Sequence, residues 1–242
     1  MKAMVFAAGL GTRLRPITDK LPKALVPVAG QPLLKTVLER VRAAGIDEVV
    51  VNAHHFSEKI QSYLTENDDF GMTIHLSIEK DYPLETGGGI RRAGQFLSGC
   101  GQFLAHNVDI ISNVNLKDFI ENSRKDALAT LLVSRRDTQR YLLFDDDMRM
   151  VGWTNISTGE VRSPFRDLNP EKCRKYAFGG IHVISDRIFS LMEDEEEVFS
   201  IMDFYIRNAA KYPIYGYAPD NLELIDVGKV ETINSIWTLP TS

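Results

Sequence analysis

The sequence predicts an α/β protein with a mostly parallel, Rossmann-like sheet carrying helices on both faces. Three observations predict it. Short, mostly apolar runs recur at residues 2–8, 48–52, 72–78 and 102–106, as strands buried on both sides require. Segments with apolar residues at helical spacing lie between them, and this βαβαβα rhythm is that of parallel crossover units. Glycines and polar residues follow the apolar runs, at the strand ends where open α/β sheets bind ligands.

In order along the chain, residues 33–44 place Leu34, Val37, Leu38 and Val41 at helical spacing, and Gly45 stops that helix. Residues 57–64 form a short amphipathic helix and 87–97 a third helix. The second half is less regular, with strands at 127–135, 141–144, 148–153 and 176–183. Asp145-Asp146-Asp147 is a water-facing turn between two of those strands. A helix over 199–206 is core packing, and 193–197 is a solvated helix end. A strand at 222–229 and a helix at 230–237 close the chain. No repeat, low-complexity tract or linker interrupts it, so one domain over 1–242 is expected.

At 242 residues the chain can bury a substantial core, and its net charge of −5 gives no electrostatic case for a nucleic-acid partner. The basic pairs Arg91-Arg92 and Arg135-Arg136 are expected on solvated faces. Cys100 and Cys173 have neither metal nor redox spacing. Neither a signal-type apolar N-terminus nor a membrane-length run is present. A cytoplasmic protein with no membrane partner is the expectation, and its oligomeric state is open.

The first strand runs through Ala8 into Gly9-Leu10-Gly11-Thr12-Arg13. Glycines let backbone amides approach an anion closely, and Arg13 adds a forked positive charge. Pro22-Lys23 brings a second cation. Together these describe a phosphate site at the carboxyl edge of a sheet. It is not the G-x-x-x-x-G-K-[ST] loop, because no Lys-Ser or Lys-Thr follows the glycines, and Leu14 replaces the third glycine of G-x-G-x-x-G.

Three further stretches carry candidate chemistry. Glu85-Thr86-Gly87-Gly88-Gly89 spends three glycines where a helix starts, so something must approach that backbone or a positive φ is needed, and the alternative to a ligand is a flexible lid or cap. Asp109 ends an apolar strand and either holds a divalent cation or caps a turn. Tyr176-Ala177-Phe178-Gly179-Gly180 places glycines in a strand, which suits a ligand's approach or a β-bulge. His54 and His55 follow the second strand without a third ligand nearby and are read as loop or capping residues.

The string G-L-G-T-R-L-R-P-I-T-D-K-L-P-K resembles the signature of the sugar-1-phosphate nucleotidyltransferases. L-E-T-G-G-G-I is similar to the N-acetylmuramate-1-phosphate uridylyltransferases among them. The resemblance implies a GT-A-like fold, with a nucleotide-binding half at 1–110 and a sugar-side half, partly antiparallel, at 111–242. A C-terminal β-helix domain is not expected. It implies condensation of a nucleoside triphosphate, UTP favoured, with a sugar 1-phosphate, in the presence of Mg²⁺. By resemblance, Arg13 and Lys23 are catalytic, and Ala8, Gly9, Leu10, Gly11, Thr12, Glu79 and Gly88 join them in binding the nucleotide. Asn107, Asn155 and Gly180 face the sugar, and Asp109 and Asp226 hold the metal. Two departures stand out: Val108 replaces a usual glycine, and the V-x-E-K-P segment is absent. Arg166, Lys172 and Arg174 are the basic residues left to replace its lysine. Mannose-1-phosphate guanylyltransferase specificity and a non-catalytic nucleotide-sugar sensor are the alternatives.

Overall fold

The computed structural model describes residues 1–228. Its strands are β1 (Lys2–Phe6), β2 (Pro27–Val28), β3 (Gln31–Pro32), β4 (Glu48–Ala53), β5 (Thr73–Ile78), β6 (Gln102–Asn107), β7 (Ile110–Ser112), β8 (Ala129–Ser134), β9 (Arg140–Phe144), β10 (Met150–Asn155), β11 (Glu160–Arg162), β12 (Arg174–Ser185), β13 (Ile214–Tyr217) and β14 (Leu224–Asp226). The α-helices are α1 (Leu33–Ala43), α2 (Ser57–Glu66), α3 (Glu85–Leu97), α4 (Leu116–Glu121), α5 (Ile188–Leu191) and α6 (Ile201–Asn208).

The sheet's order follows from the chain's crossovers. β1, β4 and β5 pair in parallel, each stepping in one direction, and the return places β6 parallel to β1 on its other side. Right-handed crossovers put the helices of outward steps on one face and the helix of the return step on the opposite face. Accordingly α1 and α2 pack with Val49 and Val51, whereas α3 packs with Val50 in a second core. Two-residue alternation along β1 does the same, sending Ala3 and Val5 to one core and Met4 to the other. The reversal between β1 and β6 opens a crevice at the strands' carboxyl ends, the switch point where doubly wound sheets take ligands.

β12 extends the sheet beyond β6 in the antiparallel sense and also pairs with β8 and β9. Its register against β8 shifts between Phe178 and His182, and Gly180 sits at φ +72°. The glycine pair therefore marks a bulge, which bends a twelve-residue strand so that it serves both the parallel core and the β9–β10–β11 meander.

The structure corrects several sequence expectations. α3 starts two residues earlier than expected, and the strand at 222–229 is confined to Leu224–Asp226. The expected helix at 230–237 lies outside the described residues. Residues 193–197 form turns, not a helix end: Arg207 pairs with Glu195 at 2.6 Å, and the Tyr82 hydroxyl donates to Glu197 at 2.7 Å. Nor is Arg91 merely solvated, since its guanidinium donates to the carbonyl of Glu195 at 2.5 Å. Asp145 does act locally, accepting hydrogen bonds from the amides of Asp147 and Arg149. Among the described residues, no helix is long and apolar enough to cross a membrane.

Candidate active site

β1 delivers the chain to the crevice, and Gly11 turns it. Gly11 has φ +64°, and a Cβ there would lie 2.8 Å from Thr18 and 3.2 Å from Lys23. Only glycine fits both the angle and the space. The Gly11 carbonyl accepts from the Thr18 hydroxyl at 2.8 Å and from the Leu14 amide at 2.8 Å, and buried Leu14 pins the turn to the core. Ala8, Gly9, Leu10, Gly11, Thr12 and Arg13 all line a cavity of about 440 Å³.

Lys23 reaches the same cavity from a short helical turn at Lys23–Leu25. It is only 7% exposed, and its ammonium pairs with the Asp109 carboxylate. A buried lysine survives only with such a partner. Asp109 follows β6, and β7 continues from it to pair with β14 in antiparallel register, Ile110 opposite Asp226. The Val227 amide donates to the Asp109 carbonyl at 2.8 Å. Two aspartates 117 positions apart (226 minus 109) are thereby brought side by side. Gly228 completes the corner: a Cβ there would stand 2.9 Å from Asp226 Oδ1 and 3.2 Å from an Arg13 guanidinium nitrogen.

Asp226 Oδ1 is buried and makes no hydrogen bond among the described residues. An ionised carboxylate oxygen left so is costly unless a cation meets it. Paired carboxylates offer the hard oxygen donors that Mg²⁺ takes, one or two at a time, with phosphate oxygens and water completing its shell. Among the described residues no group of three or more metal-ligating side chains forms. Val108 adapts to the missing glycine by sinking to 3% exposure in the core shared with α1.

At the cavity's other end lie Asn52 and Glu79. Phe6 of β1 is in register with Asn52 of β4 on one side and Asn107 of β6 on the other. Glu79 is 2% exposed; its carboxylate accepts from the Asn52 amide at 2.6 Å and from the Leu84 backbone at 2.8 Å. His54 has the loop role expected of it, with Nδ1 at 2.7 Å from the Glu79 carbonyl.

The three glycines of α3 are explained by the chain itself. An added Cβ would come within 2.3 Å of the Phe199 ring at Gly87, 2.4 Å of the Glu197 carbonyl at Gly88 and 3.1 Å of Glu79 at Gly89. The Gly87 and Gly88 amides donate to the Phe199 carbonyl at 2.9 and 3.3 Å, so this helix start already has its acceptor. Gly88 is absent from both cavity linings, contrary to its expected place beside the base; Thr86 and Glu85 stand there instead.

A second cavity, also about 440 Å³, opens toward the antiparallel strands. Asn107 and Gly180, the residues expected to face the sugar, line it together with Arg13, Asp109 and Asp226. Asn155 does not: its side chain accepts from the Ser157 amide and hydroxyl at the β10–β11 turn. Arg166, Lys172 and Arg174 are absent from the lining too, and Arg174 is paired with Asp146 at 3.2 Å. Sequence reasoning missed Asn52, Thr86, Arg136, Arg140 and Trp153. Asn52 had a signal, since each strand flanking β1 carries an asparagine at its carboxyl end, Asn107 as the last residue of β6 and Asn52 as the last but one of β4.

Two buried histidines lie at this cavity, His182 in its lining and His106 opposite Ile181 in the neighbouring strand. Burial holds His182 down to about 3, and nearby His106 adds to the effect. His106 is held at about 4, again chiefly by burial, with Arg40 lowering it further against the raising effects of the Asn107 carbonyl and Asp109. The Tyr205 hydroxyl lies 3.0 Å from His182 Nδ1, and burial raises the Tyr205 phenol well above its ordinary value.

A doubly wound sheet with cations and carboxylates gathered round a glycine turn is the architecture of a phosphate-handling α/β enzyme. The family profile described as nucleotidyl transferase matches residues 2–143. Over 231 residues the chain is 32% identical to the N-acetylmuramate alpha-1-phosphate uridylyltransferase of Caulobacter vibrioides, covering 91% of this chain and 89% of that protein. It is 30% identical over 232 residues to the D-glycero-alpha-D-manno-heptose 1-phosphate guanylyltransferase of Campylobacter jejuni, covering 96% of each. A putative glucose-1-phosphate thymidylyltransferase from Bacillus anthracis, solved in complex with a sucrose, shares the fold, with a TM-score of 0.80 at 16% identity over 100% of this chain and 97% of that one. The chain belongs to the nucleotidyl transferase family, among its sugar-1-phosphate nucleotidyltransferases.

Proposed function

We propose that the protein condenses UTP with a sugar 1-phosphate in an Mg²⁺-dependent reaction, releasing pyrophosphate and forming a nucleotide-sugar. The observation that carries this reading is the meeting of Lys23, Asp109, Arg13 and Asp226 round one crevice. The attacking sugar phosphate is already an anion, so no general base or protein nucleophile is needed. The obstacle is bringing two polyanions together in line. Arg13 and the amides of Gly9, Leu10, Gly11 and Thr12 hold the leaving pyrophosphate. Lys23 sits against the α-phosphate and the incoming phosphate, where charge develops, and Asp109 fixes its ammonium. Asp109 and Asp226 would hold Mg²⁺, which would supply charge neutralisation to the phosphates. Those aspartates come from the two halves of the chain, which supports a single catalytic unit. Its substrates as proposed are cytoplasmic metabolites, and Cys100 and Cys173 are free, as in a reducing compartment.

Glu79 lines the first cavity, and its carboxylate only accepts hydrogen bonds, so it suits a base that turns an N–H toward it, whether a ring N–H of uracil or guanine or an exocyclic amine of adenine or cytosine. UTP is preferred on the likeness to the uridylyltransferase, and GTP is the rival on the likeness to the guanylyltransferase. The test is a matrix of the four nucleoside triphosphates against sugar 1-phosphates, read by pyrophosphate release with Mg²⁺ and with a chelator. UTP should be fastest. No release with any pair overturns the reading; fastest release with GTP reassigns the base.

A further inference from the structure

His182 is 1% exposed, yet it lines the second cavity and has no part in the phosphate chemistry proposed above. It follows Gly179-Gly180 in β12, where the register against β8 shifts between Phe178 and His182. A bulge of this kind re-aims the side chains beside it. Three aromatic rings hold the imidazole in place. Phe178 and Tyr205 stand edge-on to it, with centroids at 5.4 and 5.8 Å, and Phe6 is tilted at 6.5 Å. Phe6 and Phe178 line the same cavity.

The position of the ring proton follows from these surroundings. Burial holds His182 neutral, so it carries a single ring N–H. Its Nδ1 lies 3.0 Å from the hydroxyl of Tyr205, which is itself fully buried and kept protonated by that burial. Nδ1 is the one acceptor this hydroxyl reaches among the described residues, and a buried O–H left without an acceptor is costly. Tyr205 therefore donates to Nδ1, and the imidazole proton sits on Nε2. Nε2 of His106 is sealed in the interior without a partner. Nε2 of His182 also has none among the described residues, but it is not sealed in this way, and the cavity is where it can meet one.

Under the reading proposed above, on which this inference rests, the sugar occupies that cavity. We propose that His182 is a specificity-determining residue that donates its Nε2–H to an oxygen of the sugar, with Tyr205 as the positioning residue that fixes the donor tautomer. A locked, neutral imidazole offers one donor in a fixed direction and accepts nothing there. It therefore disfavours a sugar that brings no oxygen to that point, because the buried N–H would be left unpaired.

The experiment joins heteronuclear NMR of the labelled imidazole to steady-state kinetics. In the unaltered free protein the proton should be on His182 Nε2, with Nδ1 bare, and the Nε2 resonance should shift on titration with N-acetylmuramic acid 1-phosphate. Kinetics use UTP, Mg²⁺ and the same sugar phosphate. His182→Phe should raise KM for the sugar phosphate roughly three- to tenfold, as loss of one hydrogen bond does, and leave KM for UTP within about twofold. His182→Gln, whose amide can replace the Nε2–H donor, should recover most of that loss. Tyr205→Phe should give a smaller rise and remove the fixed tautomer. Circular dichroism melts establish that each variant folds. Equal rises in both KM values, or an unchanged sugar KM in His182→Phe, make His182 a core residue and overturn the proposal. A proton on Nδ1 in the unaltered protein overturns it too, and needs no variant. Failure of the broader reading looks different: no pyrophosphate appears, while the shift of the Nε2 resonance, or its absence, still decides the role of His182.

Discussion

At the phosphate end of the crevice, neighbouring strand ends supply the groups, and the main-chain ladder fixes their spacing. Phe6, Asn52 and Asn107 lie in register across three parallel strands, and Val227 donates to Asp109 in a short antiparallel pair. The end proposed for the sugar is assembled otherwise. Arg136 lies between β8 and β9, Trp153 comes from a meander that joins the sheet through β12, and Ile201 and Met202 begin α6. Hydrogen bonds from segment 199–201 to the start of α3 tie this wall to the nucleotide half: Gly87 donates to Phe199, and Ile201 to the Thr86 hydroxyl at 3.0 Å. One end is thus a rigid charge array set by the sheet, and the other is a wall whose shape depends on loops and a bulge. Chemistry common to all substrates belongs on the first, and selectivity among sugars on the second.

The sharpest break in that comparison is at Lys23. Lys23→Met or Asp226→Asn should lower kcat for pyrophosphate release by about 10²–10³, as losses of oxyanion-stabilising groups do. His182→Phe, by contrast, should act chiefly on KM for the sugar phosphate. If the Lys23 and Asp226 variants also altered only that KM, the division between the two ends would be lost.

The next effect is in stability. Both buried histidines at the second cavity are held below the ordinary value of 6.5. Below pH 6.5 the unfolded chain therefore takes up protons that the folded one refuses, and folded stability falls with pH toward about 4 for His106 and about 3 for His182. Because an unfolded histidine is already half protonated at pH 6.5, each contributes about 1 kcal/mol over the next unit, so roughly 2 kcal/mol together at pH 5.5 relative to pH 6.5. Chemical denaturation at the two pH values checks this, and equal midpoints would rule out the buried neutral state.

The tie between the two ends can be broken at Gly87, where a Cβ would lie 2.3 Å from the Phe199 ring and 2.8 Å from its carbonyl. Gly87→Ala should cost about 1–3 kcal/mol, the usual range for overpacking. It should also raise KM for the sugar phosphate along with that for the nucleotide, because Ile201 and Met202 move with Phe199. A KM change confined to the nucleotide would mean that the two walls are independent.

These residues also show where the sequence could be read. The glycine turn, Arg13 and Lys23 fall within one continuous stretch, whereas the pairing of the acids at 109 and 226 was expected from the family resemblance, and the structure brings them together through the separate β7–β14 pair. Gly87 and Gly88 were legible as a demand for a close neighbour, but that neighbour lies more than a hundred positions away, and nothing local distinguishes Phe199 and Glu197 from a ligand. Arg136 and Arg140 are both exposed, as expected of the Arg135-Arg136 pair, and only the fold shows that they border the second cavity.

Asn155 gives the smallest expected effect and the strictest control on the sugar side. By resemblance it was expected to face the sugar; in the structure its side chain closes the turn after β10 with two hydrogen bonds, from the Ser157 amide at 3.1 Å and the Ser157 hydroxyl at 2.7 Å. An exposed turn of this kind contributes about 0.5–1.5 kcal/mol per net hydrogen bond at most, and water replaces part of it. Asn155→Ala should lower the melting temperature by a few degrees or less and leave KM for the sugar phosphate within about twofold, under 0.5 kcal/mol. A tenfold rise in that KM would mean that the β10–β11 turn closes over the sugar during turnover, and the selective wall would have to be extended from Trp153 to the tip of the meander.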